Sequence, residues 1–317
     1  MFVSAPHVKI IGTGSYVPDR VVTNEDLEKI SPTKAAWVKE NLGILERRVV
    51  ELEGQFTSDI AFQAAVNALK SANLQPNDID LIIVATATPD RKAPSTACIV
   101  QEKLGITNNS PAFDISAVCS GFVYAMSLGA QSIEAGSCKN ALVIGADTFS
   151  TITDWTKRDC VFFGDGAGAA VLTRGTTLGK FSALLRAAGS GKDNFTVFPY
   201  DKCFTMNGKA VYETGTQVLP EAIKEVLAKS NLTTKDISVV IPHQPSIRVL
   251  TKTAELLEIP VEKVKMNMSS YANTAGATVG LLLDEVNKRG EIKKGDIVVF
   301  AAVGSGWTWG AMVYEWQ

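Results

Sequence analysis

Two histidines and five cysteines are all that this chain of 317 residues offers to imidazole and thiol chemistry. The cysteines, Cys98, Cys119, Cys138, Cys160 and Cys203, are odd in number and form no C-x-x-C pair, which argues against a disulfide framework and a cysteine zinc site. Any reason for one of them is therefore local. An excess of one charge is also missing. The 31 lysines and arginines stand against 33 aspartates and glutamates, scattered along the chain, for a net charge of −2. That leaves no electrostatic footprint for nucleic acid or an anionic membrane surface. Residues 1–22 have neither a basic start nor an apolar run ending in a small-residue cleavage site, and no stretch approaches about 18 uninterrupted apolar residues. A soluble, cytoplasmic protein is expected. What is present is bulk: 46% apolar and 20% charged residues, at about twice the length of an ordinary domain, bury a large core and exclude a disordered or small stapled chain.

The chain repeats itself at an offset of about half its length. Ala72-Asn-Leu-Gln-Pro-Asn-Asp-Ile-Asp-Leu-Ile-Ile83 matches Ser230-Asn-Leu-Thr-Thr-Lys-Asp-Ile-Ser-Val-Val-Ile241. Each copy follows an amphipathic helical pattern, 58–69 or 216–229, with apolar residues three and four apart. Each runs into a short, wholly apolar strand, 81–85 or 239–241, of the kind buried on both faces. Downstream, the strand 141–145 pairs with 297–301, and the helix after Cys119 pairs with the helix after Asn273. Generic α/β alternation repeats helix and strand, but it does not require Asn-Leu and Asp-Ile to recur in register. Two mixed α/β sheets, each covered on both faces and sharing a layer of helices, satisfy the pattern. No low-complexity linker divides them; the loosest stretch is 174–201, and the seam falls near its start, giving halves 1–174 and 175–317.

Cys119 stands in Phe113-Asp-Ile-Ser-Ala-Val-Cys-Ser-Gly-Phe122, between a short strand and an almost uniformly apolar helix. At a helix N-terminus, free N–H groups and the macrodipole favour a thiolate, so the pattern predicts a lowered pKa and a nucleophile; the alternative is a small apolar core residue, as assumed for Cys98, Cys138 and Cys160. His7 reads as a surface residue. His243 follows a strand in Ile-Pro-His-Gln-Pro245, where prolines stiffen the loop at a sheet end, the place where α/β folds present function. Asn273, in Ser-Ser-Tyr-Ala-Asn-Thr-Ala-Gly-Ala277, heads the second-half helix and is either a functional group or an ordinary N-cap. By the repeat, Cys119 and Asn273 begin equivalent helices, which brings them and His243 toward one point. Gly164-Asp-Gly-Ala-Gly168 reads as a turn between strands. Neither it nor Gly12-Thr-Gly14 has the spacing of a dinucleotide fingerprint, so NAD and ATP are excluded. Val303 to Trp309 reads as a hairpin whose small residues admit a ligand to the backbone.

Taken together, these motifs resemble the β-ketoacyl-(acyl-carrier-protein) synthase III family of the thiolase superfamily. Ile11-Gly-Thr-Gly-Ser-Tyr-Val-Pro18, Trp37 with Gly43-Ile44, Pro94-Ser-Thr-Ala97, the Cys119 segment, Gly164 to Gly168, Pro242-His-Gln244, Asn273-Thr274 and Trp307-Thr-Trp-Gly310 fall in the family's order over nearly the whole chain. The resemblance implies a thiolase-like α/β fold, two pseudo-symmetric halves in five αβαβα layers. It implies that Cys119 accepts an acyl group as a thioester, and that His243 and Asn273 donate hydrogen bonds to a malonyl thioester as CO2 leaves. The backbone N–H groups of Cys119 and Ser305 would form the oxyanion hole. Trp37, Arg158, Ser246 and Ala93 would bind substrate, and Arg248 and Lys252 would dock a carrier. The implied partners are acyl-coenzyme A or acyl-carrier protein, malonyl-acyl-carrier protein and a second copy in a homodimer, with no metal or redox cofactor. Fatty-acid initiation or a related secondary pathway is implied; non-decarboxylative acyl transfer, condensation of two acyl chains and a non-catalytic scaffold subunit are the alternatives.

Some positions depart from the family. Asn41 replaces a phosphate-pairing arginine, Glu213 and Glu255 stand where lysines are common, and Ser305 replaces the middle glycine of a Gly-Gly-Gly. Ala93 takes the place of a phenylalanine that closes the partner's acyl pocket, which predicts a pocket roomier than an acetyl-selective one.

Overall fold

The computed structural model describes residues 1–51, 54–198 and 203–317. The end of the loose stretch 174–201, from 199 onward, lies outside the described residues.

The recurring loop residues have a physical cause. Asn73 and Asn231 both take left-handed backbone, at φ 53° and 55°, a conformation asparagine tolerates better than most residues and one that ends a helix. Leu74 N–H then reaches back to Leu69 O (3.1 Å) and Leu232 N–H to Leu227 O (2.9 Å), pinning the leucine on the helix end. Asp78 accepts from Gln75 N–H (2.8 Å) and Asp236 from Thr233 N–H (2.7 Å), each carboxylate capping a short 3-10 turn. The chain is thereby aimed into the strands Leu81–Ala85 and Val239–Pro242, buried along their whole length.

Those strands lie in two five-stranded sheets. In the first, the order is Val8–Tyr16, Gly166–Arg174, Asn140–Asp147, Leu81–Ala85, Ala112–Ile115; in the second, Phe2–Ser4, Phe181–Ala187, Thr308–Glu315, Ile297–Gly304, Val239–Pro242. Four strands correspond in order and sense: Leu81–Ala85 runs parallel to Asn140–Asp147 as Val239–Pro242 does to Ile297–Gly304, and the next pair is antiparallel in both sheets. The division at 174 follows the sheets except at the start, where Phe2–Ser4 pairs with Phe181–Ala187 of the second half.

Helices Gly121–Glu134 and Thr278–Lys288 lie between the sheets and touch both; Thr57–Ala72 covers the outer face of the first sheet, and Gly208–Lys229 with Ile247–Leu257 that of the second. Three apolar clusters fill the four interfaces so formed, giving five αβαβα layers of the thiolase-like type. The inner layer is tight. A Cβ on Gly168 would stand 2.1 Å from Leu281 N, and one on Gly145 2.1 Å from Gly276 O, so the central helix and its leading turn rest directly on strand backbone. Among the described residues, no helix is long and apolar enough to cross a membrane.

Three local expectations change. The segment before Gly164 is a 3-10 turn, Arg158–Val161, and Gly166 already begins a strand. The helices begin at Gly121 and Thr278, each preceded by a 3-10 turn, Val118–Ser120 and Ala275–Ala277. Counting back from the helix starts, the position equivalent to Cys119 is Gly276; Asn273 stands three residues ahead of it.

Candidate active site

Cys119 occupies the middle of the turn Val118–Ser120, at the end of the loop that leaves the strand Ala112–Ile115, and is 7% exposed. The residue before it, Val118, has φ 46°, an outlier for a β-branched side chain. On the other half, Ala272 has φ 57° and ψ −151°, a region normally left to glycine, and the next residue is Asn273. The functional side chain in each half therefore follows a strained residue. Tertiary contacts hold that geometry: Asn273 N–H donates to Phe162 O (3.0 Å), and Asn273 O accepts from Gly164 N–H (3.1 Å).

His243 extends its strand by one bond, N–H to Ala301 O at 2.8 Å. Gln244 stiffens the following turn by donating to Pro242 O and Lys265 O and accepting from Asn267 N–H. His243 Nε2 lies 3.2 Å from Asn273 Oδ1, which also accepts from Ala275 N–H at 2.9 Å. Because a backbone N–H is only a donor, that amide atom is oxygen, and the proton of the neutral imidazole sits on Nε2. The Asn273 NH2 is then the free side of the amide, and this side chain acts on the Cys119 thiol to favour its ionised form. Nδ1 of His243 has no partner among the described residues.

Burial sets the protonation states. It lowers His243 to about 4, against the Asn273 contact, which acts the other way, so the imidazole is neutral at physiological pH. It pushes the Cys119 thiol up, with the Asp147 carboxylate adding to the effect, while the cysteine's own N–H and Asn273 oppose it. The expected thiolate is thus corrected to a resting thiol. A helix end contributes roughly 0.3–2 kcal/mol, whereas full burial moves a pKa by up to about 3–5 units, and one unit is about 1.4 kcal/mol.

One cavity of about 570 Å³ connects these groups to the surface. Its inner end is lined by Cys119, His243, Asn273, Phe163, Phe195 and Ser305, and its outer end carries Trp37, Arg158 and Arg248. The Arg158 guanidinium lies 5.1 Å from the centre of the Trp37 ring, a cation–π contact. Asn41 also lines the cavity, but its NH2 donates to Trp37 O at 2.9 Å. Ser246 lines it too and caps the helix Ile247–Leu257 through Val249 N–H at 3.4 Å. A Cβ on Gly304 would stand 3.0 Å from Cys119 N, so the hairpin turn bearing Ser305 passes directly over the nucleophile's amide. The Ser305 hydroxyl points away and donates to Phe195 O (2.7 Å).

Two expected residues lie outside this chain's cavity. Lys252, expected to dock a carrier, has its ammonium on Glu255 (2.6 Å), and Ala93, expected at the partner's acyl pocket, is exposed on the surface. Conversely, sequence reasoning missed an aromatic wall. Phe163 stacks on Phe149 at 4.6 Å, Phe195 stacks on Phe204 at 5.3 Å, and Phe163 meets Phe204 edge-on at 5.0 Å, all clustered with Cys119. Phe195 begins the first strand of the short ribbon Phe195–Thr196 and Thr205–Met206, and Phe204 immediately precedes the second, inside and just beyond the stretch read as loose. Phenylalanines in so polar a loop were the available signal.

Comparison with known proteins agrees with this geometry. Residues 113–189 match the model of 3-oxoacyl-[acyl-carrier-protein] synthase III, and residues 227–316 match that of the same family's C-terminal region. A beta-ketoacyl-[acyl-carrier-protein] synthase III of Clostridium acetobutylicum is 42% identical over 98% of each chain. The crystal structure of the Aquifex aeolicus 3-oxoacyl-[acyl-carrier-protein] synthase III superposes with a TM-score of 0.94 at 42% identity, covering 98% of this chain and all of that one. The priming beta-ketosynthase of the R1128 polyketide pathway gives 0.92 at 26% identity, over 99% and 97% of the two chains. With identity at this level sustained from end to end, and with the cysteine, histidine and asparagine gathered in one cavity, the chain belongs to the β-ketoacyl-[acyl-carrier-protein] synthase III family.

Proposed function

We propose that this chain is an acyltransferase that joins an acyl primer to a malonyl thioester by decarboxylative Claisen condensation. The observation that carries the reading is the meeting of Cys119 from one half with His243 and Asn273 from the other at the closed end of a single cavity. In the first half-reaction the Cys119 sulfur attacks the carbonyl of an acyl thioester, and the thiol proton ends on the departing pantetheine sulfur. A thiol–thioester exchange of this kind is compatible with a cysteine that rests protonated.

In the second half-reaction the bond between the malonyl Cα and its carboxylate breaks. CO2 leaves, and the electron pair passes into the thioester as an enolate. The enolate oxygen receives hydrogen bonds from His243 Nε2–H and the Asn273 NH2; a neutral imidazole is suited to donate there because its proton stays in place. Cα then attacks the acyl-Cys119 carbonyl, the oxyanion rests on the N–H groups of Cys119 and Ser305, and collapse releases the Cys119 sulfur to be reprotonated. Electrons balance without a redox partner.

Trp37, Arg158 and Arg248, at the cavity's outer end, suit the phosphate and arm common to coenzyme A and a phosphopantetheinyl carrier. Arg248 is the carrier-docking cation, with Lys252 one helical turn away on the same helix. A cytoplasmic setting suits such substrates. We also infer a homodimer, since Ala112–Ile115 is a sheet edge and Phe113 on it is 40% exposed.

The test is to incubate the protein with acyl donors and then with malonyl-carrier, following acyl-Cys119 by mass and the release of CO2. Acylation without CO2 indicates simple transfer and refutes the condensation; no acylation by any donor refutes the enzyme reading.

A further inference from the structure

Asp147 ends the strand Asn140–Asp147, is fully buried, and has no step in the reaction above. Every hydrogen bond it accepts comes from a neutral donor. Oδ1 receives the N–H groups of Ala87 (2.7 Å) and Thr88 (3.1 Å) and the hydroxyls of Thr86 (3.1 Å) and Thr88 (3.0 Å); Oδ2 receives Gly276 N–H at 2.7 Å. Thr86 to Thr88 follow the strand Leu81–Ala85 of the first half, whereas Gly276 stands in the second half at the position equivalent to Cys119. A Cβ on Gly276 would lie 2.8 Å from Asp147 Oδ2 and 3.3 Å from the carbonyl oxygens of both Ala85 and Val118. The turn therefore presses on the backbone just ahead of the nucleophile. One residue earlier, Ala275 N–H holds Asn273 Oδ1, so Asn273 goes where this turn goes.

We propose that Asp147 is a positioning residue for the condensation: one carboxylate locks the Asn273 turn of the second half against the Cys119 turn of the first and sets a negative charge beside the nucleophile. The condensation part rests on the function proposed above; the charge part does not. Burial brings the Asp147 carboxyl up to about 6 while its backbone and threonine donors hold it down, so it is ionised at neutral pH. After burial, it is the next cause of the raised Cys119 thiol. Of the described groups around Cys119, the strand Asn140–Asp147 contributes Asp147 and the loop after Val239–Pro242 contributes neutral His243; Asn273, Ser305, Phe195 and Met206 carry no charge. Arg158, Asp159, Lys209 and Arg248 stand at the exposed end of the same cavity.

Two variants separate position from charge. Asp147→Asn removes the charge and sets an amide where one oxygen faced only donors. Gly276→Ala keeps the charge and displaces the turn. Alkylation of Cys119 by iodoacetamide across pH is measured on each folded variant without substrate, and CO2 release from malonyl-carrier is measured on the acylated protein. Asp147→Asn is expected to move the alkylation profile to lower pH, with a rate about tenfold higher below the midpoint, and to slow condensation on the order of 10²-fold. Gly276→Ala is expected to slow condensation similarly without moving the alkylation profile to lower pH, because Asp147 keeps its charge and any loss of the Asn273 contact acts in the opposite sense, and it tests position even if Asp147→Asn does not fold. An Asp147→Asn profile coincident with wild type overturns the charge role, and wild-type CO2 release in Gly276→Ala overturns the positioning role. A wild-type protein that releases no CO2 overturns the proposed function instead, leaving the alkylation arm to be judged by itself.

Discussion

Replacing Asn273 by aspartate changes one NH2 to an oxygen and almost nothing else in shape. The Oδ1 side is undisturbed: Ala275 N–H at 2.9 Å and His243 Nε2–H at 3.2 Å are both donors and suit a carboxylate. The other side loses its two donors and faces the Cys119 sulfur and the incoming thioester with a negative oxygen. Loss of one transition-state donor costs about 3–4 kcal/mol, and repulsion between the new carboxylate and the enolate adds to it, so CO2 release should fall by at least about 10³-fold. The carboxylate also raises His243 from about 4 toward its ordinary range, because an adjacent anion favours the imidazolium. It pushes the thiol further up, since the Asn273 contact that holds it down is gone. Loading slows for that second reason but retains its chemistry, so it should fall less than condensation. The assay is intact-protein mass for acyl-Cys119 beside trapped CO2 from malonyl-carrier, on a variant whose thermal unfolding matches wild type. Release of CO2 within about tenfold of wild type, or equal loss of both half-reactions, refutes the role given to this amide.

Acyl donors longer than acetyl should load wild-type Cys119, and Ala93→Phe should shorten the longest one accepted; loading by acetyl alone refutes the reading of Ala93. Phe204→Ala removes the ring that backs Phe195 and Phe163 and should let still longer chains load, at a stability cost of about 3–5 kcal/mol; an unchanged length limit in the folded variant shows that the wall lies elsewhere. Stability should depend on His243 between pH 4 and 6.5: its folded pKa is depressed, the unfolded chain binds the extra proton in that window, and stability falls as the pH drops, by about 3 kcal/mol in all. The carboxylates Asp147 and Asp165, raised to about 6, act in the opposite sense, so the His243 contribution is read as the difference from His243→Gln in denaturant titrations, and coincident pH curves for the two proteins contradict it. Asn231→Ala should lower Tm by a few degrees, because alanine at φ 55° is strained by about 1–2 kcal/mol; an unchanged Tm would mean that the turn gives way.

The duplication was legible because the residues that reveal it act locally. An asparagine in left-handed backbone and an aspartate capping the next turn do the same work in any context, so Asn73 and Asn231, or Asp78 and Asp236, recur wherever the loop recurs. His243 was legible for a similar reason, lying between prolines at a strand end. The aromatic wall was not, because Phe149, Phe163, Phe195 and Phe204 meet only through the tertiary fold, one of them on and one just before a ribbon of two residues per strand. The state of Cys119 was misread because the sequence shows the helix that follows but not how deeply the thiol is buried or that Asp147 stands beside it. The ion pair of Lys252 with Glu255 was not legible, because helical spacing places Lys252 one turn from Arg248 without showing which neighbour its ammonium meets.

The shift in register between Cys119 and Asn273 explains how a duplicated fold yields an undivided, asymmetric site. At the equivalent position of the two halves, one keeps a side chain and the other has none. In the first half the side chain is the nucleophile; in the second, Gly276 leaves the space in which Asp147 reaches across and in which the Val118 carbonyl can approach. A second cysteine at 276 would collide with that carboxylate, so two-fold symmetry of function is sterically closed. The second half supplies its polar group three residues earlier instead, just after Ala272, whose backbone at φ 57° costs about 1–3 kcal/mol to hold. Val118 carries comparable strain on the other side, at φ 46°. Neither half has reason to hold such a conformation by itself, because what opposes the strain comes from the other half: Phe162 and Gly164 bond Asn273, and Gly276 and Gly304 stand against the Cys119 turn. The nucleophile and its amide partner are therefore set only when the two sheets have closed on the helices between them.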